Sequence, residues 1–161
     1  MNDFSKTIAA ISTPRGKGGI AVIRLSGPDA IAAAGRMFRP KNGKPLADCA
    51  PRTAVFGTIC DADDEPCDEG IVTVFRGPHS FTGEDVAEIA CHGGPAVTEA
   101  VCLSAIAHGA VAAGPGEFTR RAFVQAKSTC LSSLWKAHIL AHFYWRQSKA
   151  HESPVQAMAS T

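Results

Sequence analysis

The chain has 161 residues, a formal net charge of +1 and 19% charged residues, a balance that implies no basic face and does not indicate tight nucleic-acid binding by this chain alone. Its hydrophobic fraction of 45% is sufficient for a buried core, and its length fits one domain, with or without a tail. Its apolar runs fall short of the roughly 18 residues that would predict a membrane span, and Asp3 and Lys6 are untypical of a secretory signal. These features predict a protein of the reducing cytoplasm, without membrane contact.

The first part of the chain alternates apolar runs with turn signals. Residues 7–12 and 20–25 predict two strands, joined by a glycine-rich basic loop over residues 13–19. This loop does not contain the phosphate-loop pattern Gly-x-x-x-x-Gly-Lys-Ser/Thr, which occurs nowhere else in the sequence either. Arg24 stands among apolar neighbours in the second strand. From residue types alone, such an arginine is more often an edge residue than a ligand contact.

A helix signal and a hairpin signal follow. Pro28 and Asp29 favour a helix start, and residues 30–38 carry apolar residues at helical spacing. Residues 39–52 are polar and contain prolines, which predicts a surface loop. Two β-rich runs at residues 53–60 and 71–75 predict a hairpin, whose long connection would be the acidic segment between them.

The stretch from Gly77 to Pro95 has turn-rich ends and a short apolar segment that carries a carboxylate, Glu88. Glycines on both sides would allow the backbone to approach a flat ligand closely. The plainer interpretation of Glu88 is a solvent-facing carboxylate on a half-buried strand. Glu84, in the turn before this strand, is expected to be a surface charge.

The last predicted elements complete an α+β order. Residues 96–108 predict a helix that ends at Gly109, residues 110–113 a short strand, and residues 117–127 a further helix. The predicted order β-β-α-β-β-β-α-β-α indicates an α+β fold, with a mixed or antiparallel sheet and flanking helices, rather than alternating βαβ units.

The six cysteines include no Cys-x-x-Cys pair, which argues against a zinc site or a thioredoxin-like motif. Four of them lie in apolar surroundings and are expected to be small core residues: Cys60, Cys91, Cys102 and Cys130. In a reducing cytoplasm the cysteines are expected to be free thiols. The neighbours Cys91 and His92 could be drawn as metal ligands, but no second ligand pair follows at a usable spacing. The sequence therefore predicts no metal site.

A series of motifs runs in order through about residues 5–127. Its members are Gly16-x-Gly18-Gly19-Ile20-x-x-x-Arg24, Pro51-Arg52-Thr53-Ala54, Phe81-Thr82-Gly83-Glu84-Asp85-Val86-x-Glu88, His92-Gly93-Gly94-Pro95 and Pro115-Gly116-Glu117-Phe118-Thr119-x-Arg121. The series closely resembles the N-terminal domain of the MnmE (TrmE) family of tRNA-modifying GTPases. Several motifs in a fixed order are far more specific than any one of them.

The resemblance implies that residues 1–127 form a folate-binding and dimerisation domain, with a fold like the tetrahydrofolate-binding domain of aminomethyltransferases. The implied cofactor is 5-formyltetrahydrofolate or methylenetetrahydrofolate, contacted by Arg24, Glu88 and Lys127, with no catalytic or metal-binding residue. A pterin ring presents a ring N–H beside an exocyclic amine, and the carboxylate of Glu88 can accept both donors. For Arg24, the resemblance favours a ligand contact over an edge position.

The implied function is modification of the wobble uridine of tRNA at C5, of the aminomethyl or carboxymethylaminomethyl type. This chain would be a homodimeric N-terminal fragment, inactive alone and without a GTP, potassium or magnesium site. The implied partners are an MnmG (GidA)-like flavoprotein, and tRNA through the intact complex alone. One alternative is a stand-alone folate-dependent one-carbon transferase, with Asp85 or His92 as its acid or base. The other is a non-catalytic oligomerisation module or a gene remnant.

The sequence leaves the family pattern after Lys127. The family continues with Ile, Leu or Met and then Asp-Leu-Ser/Thr-Gln, whereas this chain has Ser128-Thr129-Cys130-Leu131-Ser132. The genetic code allows residues 127–132 to be encoded by AAA TCG ACC TGT CTC AGC, and reading these letters one base earlier after the lysine gives Ile-Asp-Leu-Ser-Gln. We therefore interpret residues 128–161 as an out-of-frame tail, with the family's helical and GTPase domains missing. A genuine partner-binding helix over residues 131–145 is the alternative.

Overall fold

A computed structural model of the chain describes residues 4–14 and 16–128, and it gives residues 126–128 by their backbone alone. In chain order the elements are β1 (Ile8–Ile11), β2 (Ile20–Ser26), α1 (Ala30–Arg36), β3 (Phe38–Pro40), a short 3-10 helix (Leu46–Asp48), β4 (Ala54–Cys60), β5 (Pro66–Phe75), β6 (Val86–His92), α2 (Pro95–Ala107), β7 (Val111–Ala112) and α3 (Glu117–Ser128). This α+β order confirms the predicted fold class. It contains one strand, β3, that was not predicted.

The strands form one seven-stranded sheet in the order β3-β4-β5-β6-β2-β1-β7. The pairing of β1 with β7 is parallel, and the other neighbours run antiparallel, so the sheet is mixed. The centre of the sheet is the pairing of β2 with β6, two strands that are distant in sequence. Its register sets Arg24 directly opposite Glu88.

Alternate residues of the central strands are buried against α1 and α2. On this face the two central strands contribute Ala21, Ile23, Leu25, Ala87, Ile89 and Cys91 to the core. The other set of residues lies on the opposite face, which we call the open face; it includes Val22, Arg24, Phe56, Ile71, Thr73, Glu88 and Ala90. Because a strand has a side-chain period of two, Arg24 and Glu88 are placed outside the main core together.

The first helix ends earlier than its apolar spacing predicts, so the predicted boundary is wrong. Phe38 starts β3 and pairs with Ile59 of β4, and the backbone N–H of Cys60 donates to the carbonyl of Met37 at 2.8 Å. The edge of β4 thus competes with a further helical turn for the same backbone groups. Residues 39–52 are also not purely a surface loop, since Leu46 is 2% exposed.

The β4–β5 connection is shorter than the acidic stretch predicts. The backbone N–H of Asp61 donates to the carbonyl of Glu65 at 2.8 Å, and the side chain of Asp61 accepts from the N–H groups of Asp63 and Glu65 at 3.0 Å. Aspartate favours such turns because its carboxylate can accept local backbone N–H groups. The strand therefore resumes at Pro66, and the following acidic residues lie in β5.

The five cysteines in the described part of the chain are free thiols, and Cys130 lies outside it. Burial raises the pKa of Cys91 to about 11, which keeps this thiol protonated at neutral pH. No group of three or more histidine, cysteine or acidic side chains within the described residues could hold a metal ion. Among the described helices, none combines the length and hydrophobicity of a membrane span.

Two adjacent glycines after β6 differ sharply in the space around them. A Cβ on Gly93 would lie 2.5 Å from the carbonyl oxygen of Gly18, whereas a Cβ on Gly94 would meet nothing within 4 Å. We expect Gly93→Ala to lower the free energy of unfolding by about 1–3 kcal/mol, because the backbone of the glycine-rich loop must move. Gly94→Ala is the matched control and should cost less than about 1 kcal/mol, since it changes only the residue before α2. Urea unfolding measures both, and equal losses would contradict the steric explanation.

Candidate functional site

The open face carries an ion pair at the centre of the sheet. Nη2 and Nε of Arg24 lie 2.7 and 2.8 Å from Oε1 of Glu88. The pair forms because directly opposed residues of antiparallel strands have Cβ atoms only about 5 Å apart. The side chains are 25% and 29% exposed, so solvent and small ligands can reach them. Both contacts use Oε1 of the carboxylate.

Two aromatic rings flank this ion pair. The guanidinium carbon of Arg24 lies 5.1 Å from the ring centroid of Phe81 and 5.9 Å from that of Phe118. Phe81 precedes β6 and is 43% exposed, whereas Phe118 lies in the first turn of α3. Both occur in the motifs that carry the family resemblance, but sequence reasoning assigned neither a role. Arg24, Glu88 and the two rings together form the candidate site.

Lys127, the third predicted contact, lies on α3. Its backbone is nine residues beyond Phe118, about 13 Å along the helix. Its side chain lies outside the described part of the structure. Arg24 and Glu88 are therefore brought together, and Lys127 belongs to the helix that supplies one of the flanking rings.

Glu84 is not a surface charge, so that expectation was wrong. It is about 10% exposed, and Nη1 of Arg121 lies 3.2 Å from both of its carboxylate oxygens. The hydroxyl of Ser26 donates to Oε2 of Glu84 at 2.7 Å and also lies 2.7 Å from the hydroxyl of Thr82. Glu84 is buried because α3 places Arg121 against the turn before β6.

Arg121 joins separate segments of the chain. It is 1% exposed, and it donates to Glu117 at 3.1 Å and to the carbonyl of Lys6 at 2.9 Å, in addition to Glu84. Burial raises the pKa of Glu117, but hydrogen bonds from the N–H of Gly114 and from Arg121 outweigh it and leave the pKa below its ordinary value. These contacts hold α3 and the turn before β6 in fixed positions. They therefore also position the two rings beside Arg24.

Asp85 and His92, the acid or base candidates of the stand-alone transferase, have other partners. Asp85 accepts from the N–H of Gly77 at 2.9 Å and from Arg76 at 3.3 Å. Nδ1 of His92 lies 2.7 Å from Asp68, and the ring is 73% exposed, at the far end of β6 from Glu84. His92 lies four positions after Glu88 along the strand, roughly 13 Å away. Neither group contacts the Arg24–Glu88 pair within the described residues.

The fold and the site define an α+β domain that carries a solvent-accessible guanidinium–carboxylate pair beside two aromatic rings. The comparisons with known proteins are more specific. The family model described as "GTP-binding protein TrmE N-terminus" matches residues 7–127. The chain therefore belongs to the MnmE (TrmE) family, through its N-terminal domain.

Individual relatives give the same result. The tRNA modification GTPase MnmE of Parabacteroides distasonis is 51% identical over 122 residues, which cover 75% of this chain and 26% of the relative. The corresponding proteins of Symbiobacterium thermophilum and Chloroflexus aurantiacus are 47% identical over 122 residues and 49% identical over 127 residues, covering 76% and 79% of this chain and 27% of each relative. The chain thus spans about a quarter of the length of the curated relatives it matches.

Proposed function

We propose that this chain serves tRNA modification as the N-terminal domain of an MnmE-type protein, and that it binds a reduced folate at the Arg24–Glu88 pair. The observation that carries the proposal is the placement of these two residues in one accessible ion pair between two aromatic rings. In relatives of matching sequence the whole protein is named a tRNA modification GTPase. Modification of the wobble uridine at C5 is the proposed contribution of the longer protein.

Each residue of the site has a distinct part in holding the folate. Glu88 accepts the ring N–H and the exocyclic amine of the pterin, and Phe81 and Phe118 offer their faces to its flat ring system. Arg24 meets the acceptors or the glutamate carboxylates of the folate, and Lys127 supplies a further cation. The bound 5-formyl- or methylenetetrahydrofolate would supply the one-carbon unit. The residues of this chain bind and orient it and carry out no covalent step.

Folate binding is tested with one carboxylate in the site and one outside it. Glu88→Gln should weaken the binding of 5-formyltetrahydrofolate more than tenfold, because the amide turns its own N–H₂ towards one pterin donor; the loss corresponds to about 1.5–3 kcal/mol. The control is Glu69→Gln, since Glu69 is 55% exposed and pairs with the exposed Lys41. It should change the affinity by less than about twofold. Isothermal titration calorimetry measures both variants, and equal effects in folded proteins would remove Glu88 from the site.

The open face also favours a homodimer. Phe56 and Ile71 are 52% and 42% exposed, and they are direct neighbours on β4 and β5. The partly buried Ala90 continues the same row on β6, so apolar side chains run without a break across three strands. Contiguous exposed apolar surface on a soluble domain is typical of an interaction site. A second copy on this strip would cover apolar surface beside the folate pair of the first.

The remaining partners belong to the longer protein. An MnmG (GidA)-like flavoprotein and tRNA are proposed as partners of the intact assembly, since no strongly basic balance in this chain favours tRNA binding by itself. The apolar strip also supports the oligomerisation module as a second candidate function. A chain that dimerises but does not bind 5-formyltetrahydrofolate would favour this module.

A further inference from the structure

We propose that the side chain of Arg24 fills part of the ligand site and is displaced when a ligand binds. In the structure its guanidinium holds the carboxylate of Glu88, and a ligand that takes this carboxylate offers Arg24 an anionic group in exchange. We call the Arg24–Glu88 contact the latch. The inference rests on the proposed folate site and adds a rule for ligand selection to it.

The first step is the likeness between the arginine and the ligand. A guanidinium presents N–H donors from one flat unit, and the edge of a pterin presents a ring N–H beside an amine in a similar arrangement. Two donors of Arg24 already lie 2.7 and 2.8 Å from Oε1 of Glu88. A ligand that bonds both carboxylate oxygens therefore competes with Arg24 for Oε1.

The second step is that the latch can open. Its side chains are 25% and 29% exposed, and an ion pair of this exposure is weak. The flat guanidinium lies 5.1 and 5.9 Å from the ring centroids of Phe81 and Phe118, and the same rings can accept a flat heterocycle when the guanidinium leaves. The latch therefore reduces affinity without blocking the site.

The third step concerns the partner of the Arg24 guanidinium after it leaves Glu88. The residues opposite Arg24 on its two neighbouring strands are Ala10 and Glu88. The nearby carboxylates of Glu84 and Asp85 are engaged by Arg121 and Arg76. An anionic group on the ligand therefore offers a released Arg24 a new charged partner. Folates carry glutamate carboxylates, whereas a pterin without this tail, or guanosine with the same N–H and amine edge, leaves the cation unpaired.

The experiment compares ligands with and without an anionic tail on the full chain. Arg24→Ala and Arg24→Met should bind 6-hydroxymethylpterin about fivefold more tightly than the unsubstituted protein, because the carboxylate is no longer occupied. The same variants should bind 5-formyltetrahydrofolate about tenfold less tightly, because a charge-assisted contact is lost. Arg39→Met is the control: Arg39 pairs with Asp64 and is 53% exposed, and its loss should change neither affinity more than about twofold.

Two further probes test whether the N–H and amine edge of the ligand, rather than its flat ring, competes with Arg24. Guanosine should gain affinity in the Arg24 variants as 6-hydroxymethylpterin does, whereas adenosine, which lacks a ring N–H beside its amine, should not. In nuclear magnetic resonance, the Nε–H signal of Arg24, assigned by its loss in Arg24→Met, should shift when 6-hydroxymethylpterin binds. Pterin fluorescence measures the affinities, and circular dichroism confirms that each variant is folded.

The outcomes distinguish this inference from the proposed function. If the unsubstituted chain binds 5-formyltetrahydrofolate but the Arg24 variants gain nothing for 6-hydroxymethylpterin, the latch is overturned and the folate site stands. If the Arg24 variants bind both 6-hydroxymethylpterin and 5-formyltetrahydrofolate more tightly, the proposed pairing of Arg24 with the anionic tail is overturned. Arg24 would then only compete with the ligand. An equal gain for adenosine would contradict the proposed similarity between the donors of Arg24 and the ring N–H and amine of the ligand. No pterin binding by any of these proteins would overturn both proposals.

Discussion

Arg121→Met is expected to lower the free energy of unfolding by about 3–5 kcal/mol, a large fraction of the total stability of a domain of this size. Arg121 is 1% exposed and its guanidinium contacts the carboxylates of Glu84 and Glu117 at 3.2 and 3.1 Å. Methionine fills much of the volume but leaves both carboxylates without their cation. The loss comes mainly from these unpaired charges, because breaking a buried pair costs more than forming it gains.

Urea unfolding followed by circular dichroism measures this loss. Arg39→Met removes a surface arginine and should cost less than about 1 kcal/mol. Adding Glu84→Gln to Arg121→Met should restore part of the stability, since it removes one of the unpaired charges, and a double-mutant cycle gives the coupling. A loss below about 1 kcal/mol for Arg121→Met would contradict the assignment of this network as a structural centre.

Ile71→Asp is expected to convert the proposed homodimer to a monomer, with a rise of about 30-fold or more in the dimer dissociation constant. Ile71 lies between Phe56 and Ala90 on the open face, so the new carboxylate would be desolvated at the middle of the apolar strip. The control is Leu103→Asp. Leu103 is 55% exposed but lies on α2, away from the strip.

Light scattering across micromolar concentrations reports the oligomeric state of these proteins. Circular dichroism excludes unfolding of the strand as the cause of dissociation. A monomeric unsubstituted chain over this range would overturn the homodimer. Equal dissociation by Leu103→Asp would show that association does not use the open face.

Local sequence rules predicted most of the elements because their periods and turn residues agree with the final fold. They failed at Phe38, whose spacing fits the helix but whose backbone pairs with β4. No local pattern reports that a neighbouring strand edge is available. The boundary of α1 is therefore decided by tertiary hydrogen bonds.

The candidate site was likewise predicted only in part. The family resemblance predicted Arg24 and Glu88, and the register of β2 and β6 brings them together. The flanking rings and the burial of Glu84 were not predicted, because both depend on how α3 lies against the turn before β6. Arg121 follows Glu84 by 37 residues, a separation at which sequence patterns carry no information about contact.

The position of β6 has a consequence for how the chain folds during synthesis. The pairs β1–β2 and β4–β5 each join consecutive strands and can form before β6 is synthesised, and β6 then fills the gap between β5 and β2. Until it does, each hairpin presents an unpaired apolar edge, a state prone to aggregation. Glu88 lies on β6, 64 residues after Arg24. The pairing of β6 with β2 therefore completes the sheet and forms the site at the same time. A ligand that contacts both Arg24 and Glu88 stabilises only the completed sheet.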